Sequence, residues 1–230
     1  MPLPPSALPA AIDRPPWRLS GVVVGAALND PATLAALGTA VDAAPYKGAP
    51  RAPVLYVKPR HTFAPAGAPM RLPAGHDAIE VGATVGLLIG AAACQVSAAD
   101  AAECISGHVL VVDLGLPLAS FYRPAAPARA LDGSCRIGAV VAPLAPDRFT
   151  LQVALDGRPA QQADTRGFAR QPAQLVADVS QFMTLHPGDL LLLGVAQGAP
   201  LARAGQRVRV EVEGLGAIEF AVEAAPRGGP

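Results

Sequence analysis

Between residues 54 and 90 the chain reads VLYVKPRHTFAPAGAPMRLPAGHDAIEVGATVGLLIG, a layout that leaves little room for anything but strands. A short apolar run closes at Lys58-Pro59, a Pro/Gly-rich loop ends at Leu72-Pro73, and a second apolar run extends from Ile79 to Gly90. Proline fixes φ and removes a backbone donor, so the loop continues neither a helix nor a sheet ladder. The other long apolar run, 190–195, is also broken by glycine and is short enough for a buried strand. No run approaches the roughly 18 apolar residues that a membrane span needs.

The rest of the chain extends this pattern. Residues 17–28 (WRLSGVVVGAAL) read as a buried strand, turned at Asn29-Asp30-Pro31 into a helix whose Leu34, Leu37 and Val41 recur at helical spacing. GVVVGAALN lacks the third glycine and the later acidic residue of a nucleotide-binding turn. Ser97 and Asp100 form a capping box that predicts a short helix to about Ile105, ended by Gly107. A strand over 108–116 then carries Asp113. From Phe149 an alternating run, the Asp156-Gly157 pair and a returning run predict a hairpin. Residues 171–185 are amphipathic, with Leu175, Val179 and Phe182, flanked by Val176 and Met183, as one core-facing stripe. Two last strands, RVRVEVEG and AIEFAVE, put Glu211 and Glu213 on a solvated face.

With 230 residues the chain fits one domain, expected over 17–225 after an arm-like leader (1–16) and before a short tail (226–230). The leader has no basic start and too many prolines for a signal peptide, so a cytoplasmic location is expected. Eighteen basic and eighteen acidic residues cancel without clustering, which leaves no basic surface for nucleic acid. Cys94, Cys104 and Cys135 lack the paired spacing of a zinc site or disulfide framework, and read as buried free thiols.

The Lys58-Pro59 and Leu72-Pro73 landmarks and the run that follows resemble the catalytic domain of the fumarylacetoacetate hydrolase superfamily. Within it, YKGAPRAPVLYVKPRHT and SFYRPAAPARALDGSCRIG are similar to the amino-terminal half, or separate amino-terminal subunit, of the bifunctional isomerase/decarboxylases of 4-hydroxyphenylacetate (homoprotocatechuate) breakdown. The resemblance implies an α+β, β-rich fold of rolled, mostly antiparallel sheets with a few short helices. It also implies chemistry on a small acidic dicarbonyl ligand chelated to magnesium or manganese. The family's Glu-x-Glu metal pair falls on Gly82 and Thr84, and its third carboxylate on Asp113. Glu80 lies on the same face of the strand and could rejoin the metal only through a β-bulge. The family lysine that meets a substrate carboxylate falls on Arg129, and the residues that move protons fall on Thr33 and Ala36, which cannot. A Thr-Gly-Thr-Pro loop that borders the substrate is replaced by Leu193-Gly194-Val195-Ala196.

Lys58, Arg123, Arg129 and Asp113 are therefore the pocket candidates, with no catalytic residue assigned and no confident metal ligand. On the residues alone, Asp113 also reads as a strand-end acid facing solvent or a backbone amide, and Lys58 as a lysine snorkelling to water. Three functions stay open. The chain is a metal-poor half that supports a homologous carboxy-terminal subunit (or pairs with itself), a self-sufficient metalloenzyme using Glu80, Thr84 and Asp113, or a non-catalytic dicarboxylate binder.

Overall fold

The computed structural model describes residues 21–118, 120–122, 125–144 and 148–225. The expected leader 1–16, Trp17, Arg123 and the tail 226–230 lie outside the described residues. In chain order the first strands are β1 (Val23–Ala27), β2 (Val54–Lys58), β3 (Phe63–Ala64), β4 (Met70–Arg71), β5 (Ala78–Ile89) and β6 (Ile105–Gly115). They are followed by β7 (Cys135–Val141), β8 (Thr150–Leu155), β9 (Arg158–Asp164), β10 (Leu190–Leu192), β11 (Leu201–Arg203), β12 (Arg207–Val212) and β13 (Gly216–Glu223). Among the described residues four short α-helices interrupt them: α1 (Pro31–Leu37), α2 (Ala98–Ala101), α3 (Ala126–Arg129) and α4 (Pro172–Ser180).

One sheet runs β2-β1-β10-β5-β6-β7-β3, with β11 also paired to β5; the other runs β4-β13-β12-β8-β9. Pairing is mostly antiparallel, with parallel contacts at β1/β10, β3/β7 and β4/β13. This is the expected β-rich architecture. Period-two alternation decides what each face does. On β5, Ile79, Val81, Ala83, Val85, Leu87 and Ile89 enter a core shared with Val208, Val210, Ile218 and Phe220 of the second sheet and Leu175, Val176 and Val179 of α4. The alternate β5 residues, Glu80, Gly82, Thr84 and Gly86, face the other way.

Local signals fixed several boundaries. Asp156 (φ 50°) and Gly157 (φ 75°) take the left-handed conformation that a two-residue hairpin turn requires. Ser97 Oγ accepts from the Asp100 amide at 3.3 Å, while Asp100 takes the Ser97 hydroxyl proton at 2.6 Å instead of reaching the backbone. Other expectations need correction. Gly107 lies inside β6, not at a helix end, because a Cβ there would come within 2.6 Å of Val140 and 2.8 Å of the Val141 carbonyl. Helix α4 stops at Ser180, so Phe182 is exposed, while Leu175, Val176 and Val179 are core and Met183 packs against it partly buried. Leu34, Leu37 and Val41 are only partly buried, and Thr33 is the buried residue of α1. Cys104 and Cys135 are buried free thiols as expected, but Cys94 is exposed. Among the described residues no helix is long and apolar enough to cross a membrane.

Candidate active site

Lys58 ends an edge strand and Asp113 lies on β6, four strand spacings away in the order β2-β1-β10-β5-β6. In a flat sheet that separation is about 19 Å, beyond the reach of any lysine. Yet Lys58 Nζ stands 2.7 Å from Asp113 Oδ1, with both side chains fully buried. The sheet is curled, so that β2 and the segment around α3 close over the β5–β6 face.

The curl assembles a compact charge network. Tyr56, two residues before Lys58 and therefore on the same strand face, donates its hydroxyl proton to Asp113 Oδ2. Its ring lies over Gly25, its cross-strand partner, where any Cβ would meet the ring at 2.2 Å. Lys58 also donates to the Arg129 carbonyl at 2.5 Å and to Ser134 Oγ at 3.0 Å. Arg129 turns its side chain back to Glu80, with Nη2 to Oε1 at 2.9 Å. Its other terminal nitrogen, Nη1, is buried without an acceptor and rests against Gly115, where a Cβ would approach within 2.6 Å. Burial and the neighbouring Asp113 charge push the Tyr56 hydroxyl well above the usual tyrosine range, so it stays protonated. Burial alone would lower the Arg129 value, but the Asp113 and Glu80 charges more than offset it and keep the guanidinium charged.

Beside this network lies a cavity of about 650 Å³, mostly apolar, with Tyr56, Glu80 and Arg129 in its wall together with Thr33, Ala36 and Val195. The two stretches most distinctive in the sequence meet at its rim: the Phe121 amide donates to the Tyr46 hydroxyl at 2.8 Å, and the Tyr46 and Tyr122 rings pack edge to face. Asn29 holds the floor in place. Its amide donates to the carbonyls of Arg170 (3.0 Å) and Leu193 (2.8 Å), and its oxygen accepts from the Arg170 amide at 2.9 Å.

The resemblance implied a divalent metal, and the residues present do not fit one. Mg²⁺ and Mn²⁺ seek several hard oxygens in near-octahedral array. Gly82 brings no oxygen, and a Cβ at that position would lie 2.5 Å from the Asp113 carbonyl and 2.6 Å from Val195 Cγ2. Thr84 is buried, and its hydroxyl accepts the Gly194 amide at 3.2 Å. Glu80 stays opposite Gly115 in regular register, the only β5/β6 shift falling at Leu88/Ile89, and its carboxylate is paired to Arg129. Asp113 is held by Lys58 and Tyr56. Among the described residues no group of three or more His, Cys, Asp or Glu side chains could hold a metal ion.

Of the residues singled out from the sequence, Lys58, Asp113, Arg129 and Glu80 come together here, and Thr84 lies on the same strand face. Arg123 lies outside the described residues. Neither solvent-facing reading survives: Lys58 and Asp113 are 1% and 0% exposed. Sequence reasoning missed Tyr56 as a site residue, although its two-residue offset from Lys58 placed both on one face. It also missed Arg136, buried under Phe220 with its guanidinium 4.2 Å from the ring centroid, donating to the Gly133 carbonyl at 2.6 Å and the Ala68 carbonyl at 3.1 Å.

Comparison with known proteins places this geometry. Residues 22–223 match the fumarylacetoacetate (FAA) hydrolase C-terminal family. A 4-hydroxyphenylacetate degradation bifunctional isomerase/decarboxylase of Escherichia coli is 41% identical over 201 residues, which are 87% of this chain but 47% of that protein. The chain thus spans about half the length of the curated relatives of this kind. A 5-carboxymethyl-2-hydroxymuconate delta-isomerase of Mycobacterium smegmatis has the same fold, with a TM-score of 0.75, 26% identity and coverage of 91% of this chain and 81% of that one. So does a fumarylpyruvate hydrolase of Pseudomonas aeruginosa solved with Mn²⁺ and pyruvate, with a TM-score of 0.75, 22% identity and coverage of 88% and 89%. A divalent metal therefore belongs to the repertoire of this fold. With the family model covering most of its length, the chain belongs to the fumarylacetoacetate hydrolase family.

Proposed function

We propose that this chain is the metal-poor, amino-terminal half of an isomerase/decarboxylase of 4-hydroxyphenylacetate breakdown. In this reading it works beside a homologous copy that carries the Glu-x-Glu pair, on small acidic dicarbonyl compounds. The observation that carries the reading is the closure of position 82, where the sheet and Val195 leave no space for a ligating side chain. The 41% identity to a relative about twice as long supports it, since that relative has room for a second copy of the domain.

Decarboxylation of a 2-oxo acid and tautomerisation of the resulting dienol need a Lewis acid for the oxyanion, a cation for a spare carboxylate and a proton carrier. The metal-bearing copy supplies the first. This chain offers the second in Arg129, which lines the cavity and keeps its charge through Asp113 and Glu80. Thr33 and Ala36 also line the cavity, and neither moves a proton near neutral pH. Lys58 holds Asp113 in place, Asp113 orients the Tyr56 hydroxyl, and the rest of the cavity wall is mostly apolar.

The test is turnover by the purified chain, alone and co-expressed with a Glu-x-Glu homologue, with Mg²⁺ and an unsaturated oxo-dicarboxylate, followed by loss of the conjugated-diene absorbance. Turnover in the pair alone is expected. Turnover by the isolated chain at the rate of the pair refutes the assignment.

A further inference from the structure

We propose that the Asp30 carboxylate latches the mouth of the cavity, one oxygen on helix α1 and the other on loop 193–200, so that passage into the cavity requires the loop to let go of Asp30. Asp30 is thus a positioning residue, one that acts on the cavity wall and not on a ligand. The inference goes beyond the subunit assignment, because it concerns how this chain's own cavity opens and needs no partner.

Loop 193–200 joins β10 to β11, and both strands pair with β5: Leu192 stands opposite Gly86 and Leu201 opposite Glu80. Its two ends are fastened to that strand, the Leu193 amide donating to the Val85 carbonyl at 2.9 Å and the Val81 amide to the Pro200 carbonyl at 2.8 Å. From Val81 to Val85 is about 13 Å along a strand, whereas the eight loop residues could reach about 23 Å. The loop therefore bows away from β5, and side chains hold its crest instead of a ladder. Gln197 is that crest. Asp30 Oδ2 accepts its amide at 2.7 Å, and Gln161 of β9 donates to its carbonyl at 3.0 Å. Of the two bonds, the one to Asp30 is charge-assisted and is the stronger kind.

The same carboxylate holds the neighbouring wall. Asp30 Oδ1 accepts the Ala32 amide at 3.0 Å, where α1 begins. Helix α1 brings Thr33, Ala36 and Leu37 to the cavity, and the loop brings Val195 to Ala199. Among these, Thr33 is buried while Ala36, Gln197 and Gly198 are exposed, which puts an opening of the cavity between α1 and the crest, beside the tie. Both partners of Asp30 are N–H donors, so only a group with two acceptors serves them together. A carboxylate does. Asparagine has one acceptor and would turn an NH₂ donor toward the other amide, and serine is long enough to cap the helix alone.

The experiment follows the opening on the full chain. Amide exchange is measured residue by residue by NMR for the wild type, Asp30→Ser and Asp30→Asn, with melting curves to show which variants are folded; either variant suffices. The Gln197 amide is expected to exchange roughly tenfold faster, the low end for a charge-assisted hydrogen bond because this carboxylate is partly exposed. The Leu193 amide, bonded to Val85, should keep its rate. Thr33→Cys in a Cys94→Ser background then reports passage, as the rate at which a thiol reagent reaches position 33. The thiol pKa of each protein is read from the same pH series and factored out, so that the charge lost at position 30 does not enter. Adding the Asp30 substitution is expected to raise this rate by about the factor seen at Gln197. An unchanged Gln197 amide overturns the latch, as does exchange that quickens equally at Gln197 and Leu193, which would mean general loosening. A faster Gln197 amide with unchanged labelling overturns its control of the cavity. None of these readouts depends on turnover with a partner, so this inference and the subunit assignment fail separately.

Discussion

Replacing Lys58 by methionine keeps the length of the side chain and removes its charge, which isolates the ion pair beneath the cavity. Asp113 then loses its partner at 2.7 Å and retains only the Tyr56 hydroxyl, while the Arg129 carbonyl and Ser134 Oγ lose a donor. Both charged side chains are fully buried, so water cannot take the place of the ammonium. Removing one member of such a pair costs about 3–5 kcal/mol. For a chain of this size each kcal/mol shifts Tm by roughly 2–4 °C, which amounts to a fall of about 6–20 °C. Urea unfolding followed by circular dichroism at neutral pH measures the loss. Lys58→Met combined with Asp113→Leu removes both charges, and should recover at least half of the loss despite leaving Tyr56 without its acceptor. A single-variant cost below about 1 kcal/mol, or a double variant whose loss is the sum of its parts, refutes the reasoning.

Three further outcomes follow from packing and burial. Gly82→Ala drives a methyl group to within 2.5 Å of the Asp113 carbonyl and 2.6 Å of Val195; overpacking of this kind costs about 1–3 kcal/mol in urea unfolding, and Val195→Ala should relieve it only in part because the carbonyl stays. Unchanged stability would mean that β5 and β6 separate easily at this point. A thiol reagent at neutral pH should label exposed Cys94 quickly and the buried Cys104 and Cys135 only on unfolding. Burial pushes the Cys135 thiol up to about 12, so the stability its neutral form contributes is whole below the unfolded thiol value. It drains away as pH rises toward 12, by at most about 1.4 kcal/mol per pH unit, and Cys135→Ala should flatten that part of the alkaline unfolding profile.

Elements governed by near neighbours were legible. The strand lengths of β2 and β5 followed from apolar runs bounded by Lys58-Pro59 and Gly90, and the hairpin from Asp156-Gly157. The start of α1 followed from Asp30-Pro31, where the Asp30 carboxylate accepts the Ala32 amide at 3.0 Å. Endings were harder. Phe182 continues the helical spacing of α4 in sequence but falls beyond its last turn, and Gly107 reads as a helix stop although the strand had begun at Ile105. Both errors have one cause. Spacing describes what a segment could do alone, while a helix ends and a strand begins where packing partners permit. The site shows the same division: Asp113 and Arg129 were found through family resemblance, but nothing near either residue says which carboxylate each cation holds.

The sequence by itself determined the strands, their inward and outward faces, and the loss of oxygen at position 82, because alternation and residue identity are local properties. It placed Tyr56 and Lys58 on one face of β2, and Glu80, Gly82 and Thr84 on one face of β5. Only the tertiary structure decided that Lys58 would stand against Asp113 and Arg129 against Glu80. Those contacts depend on how far the sheet curls between β2 and β6, and curl accumulates over many strand pairs that no short stretch of residues encodes.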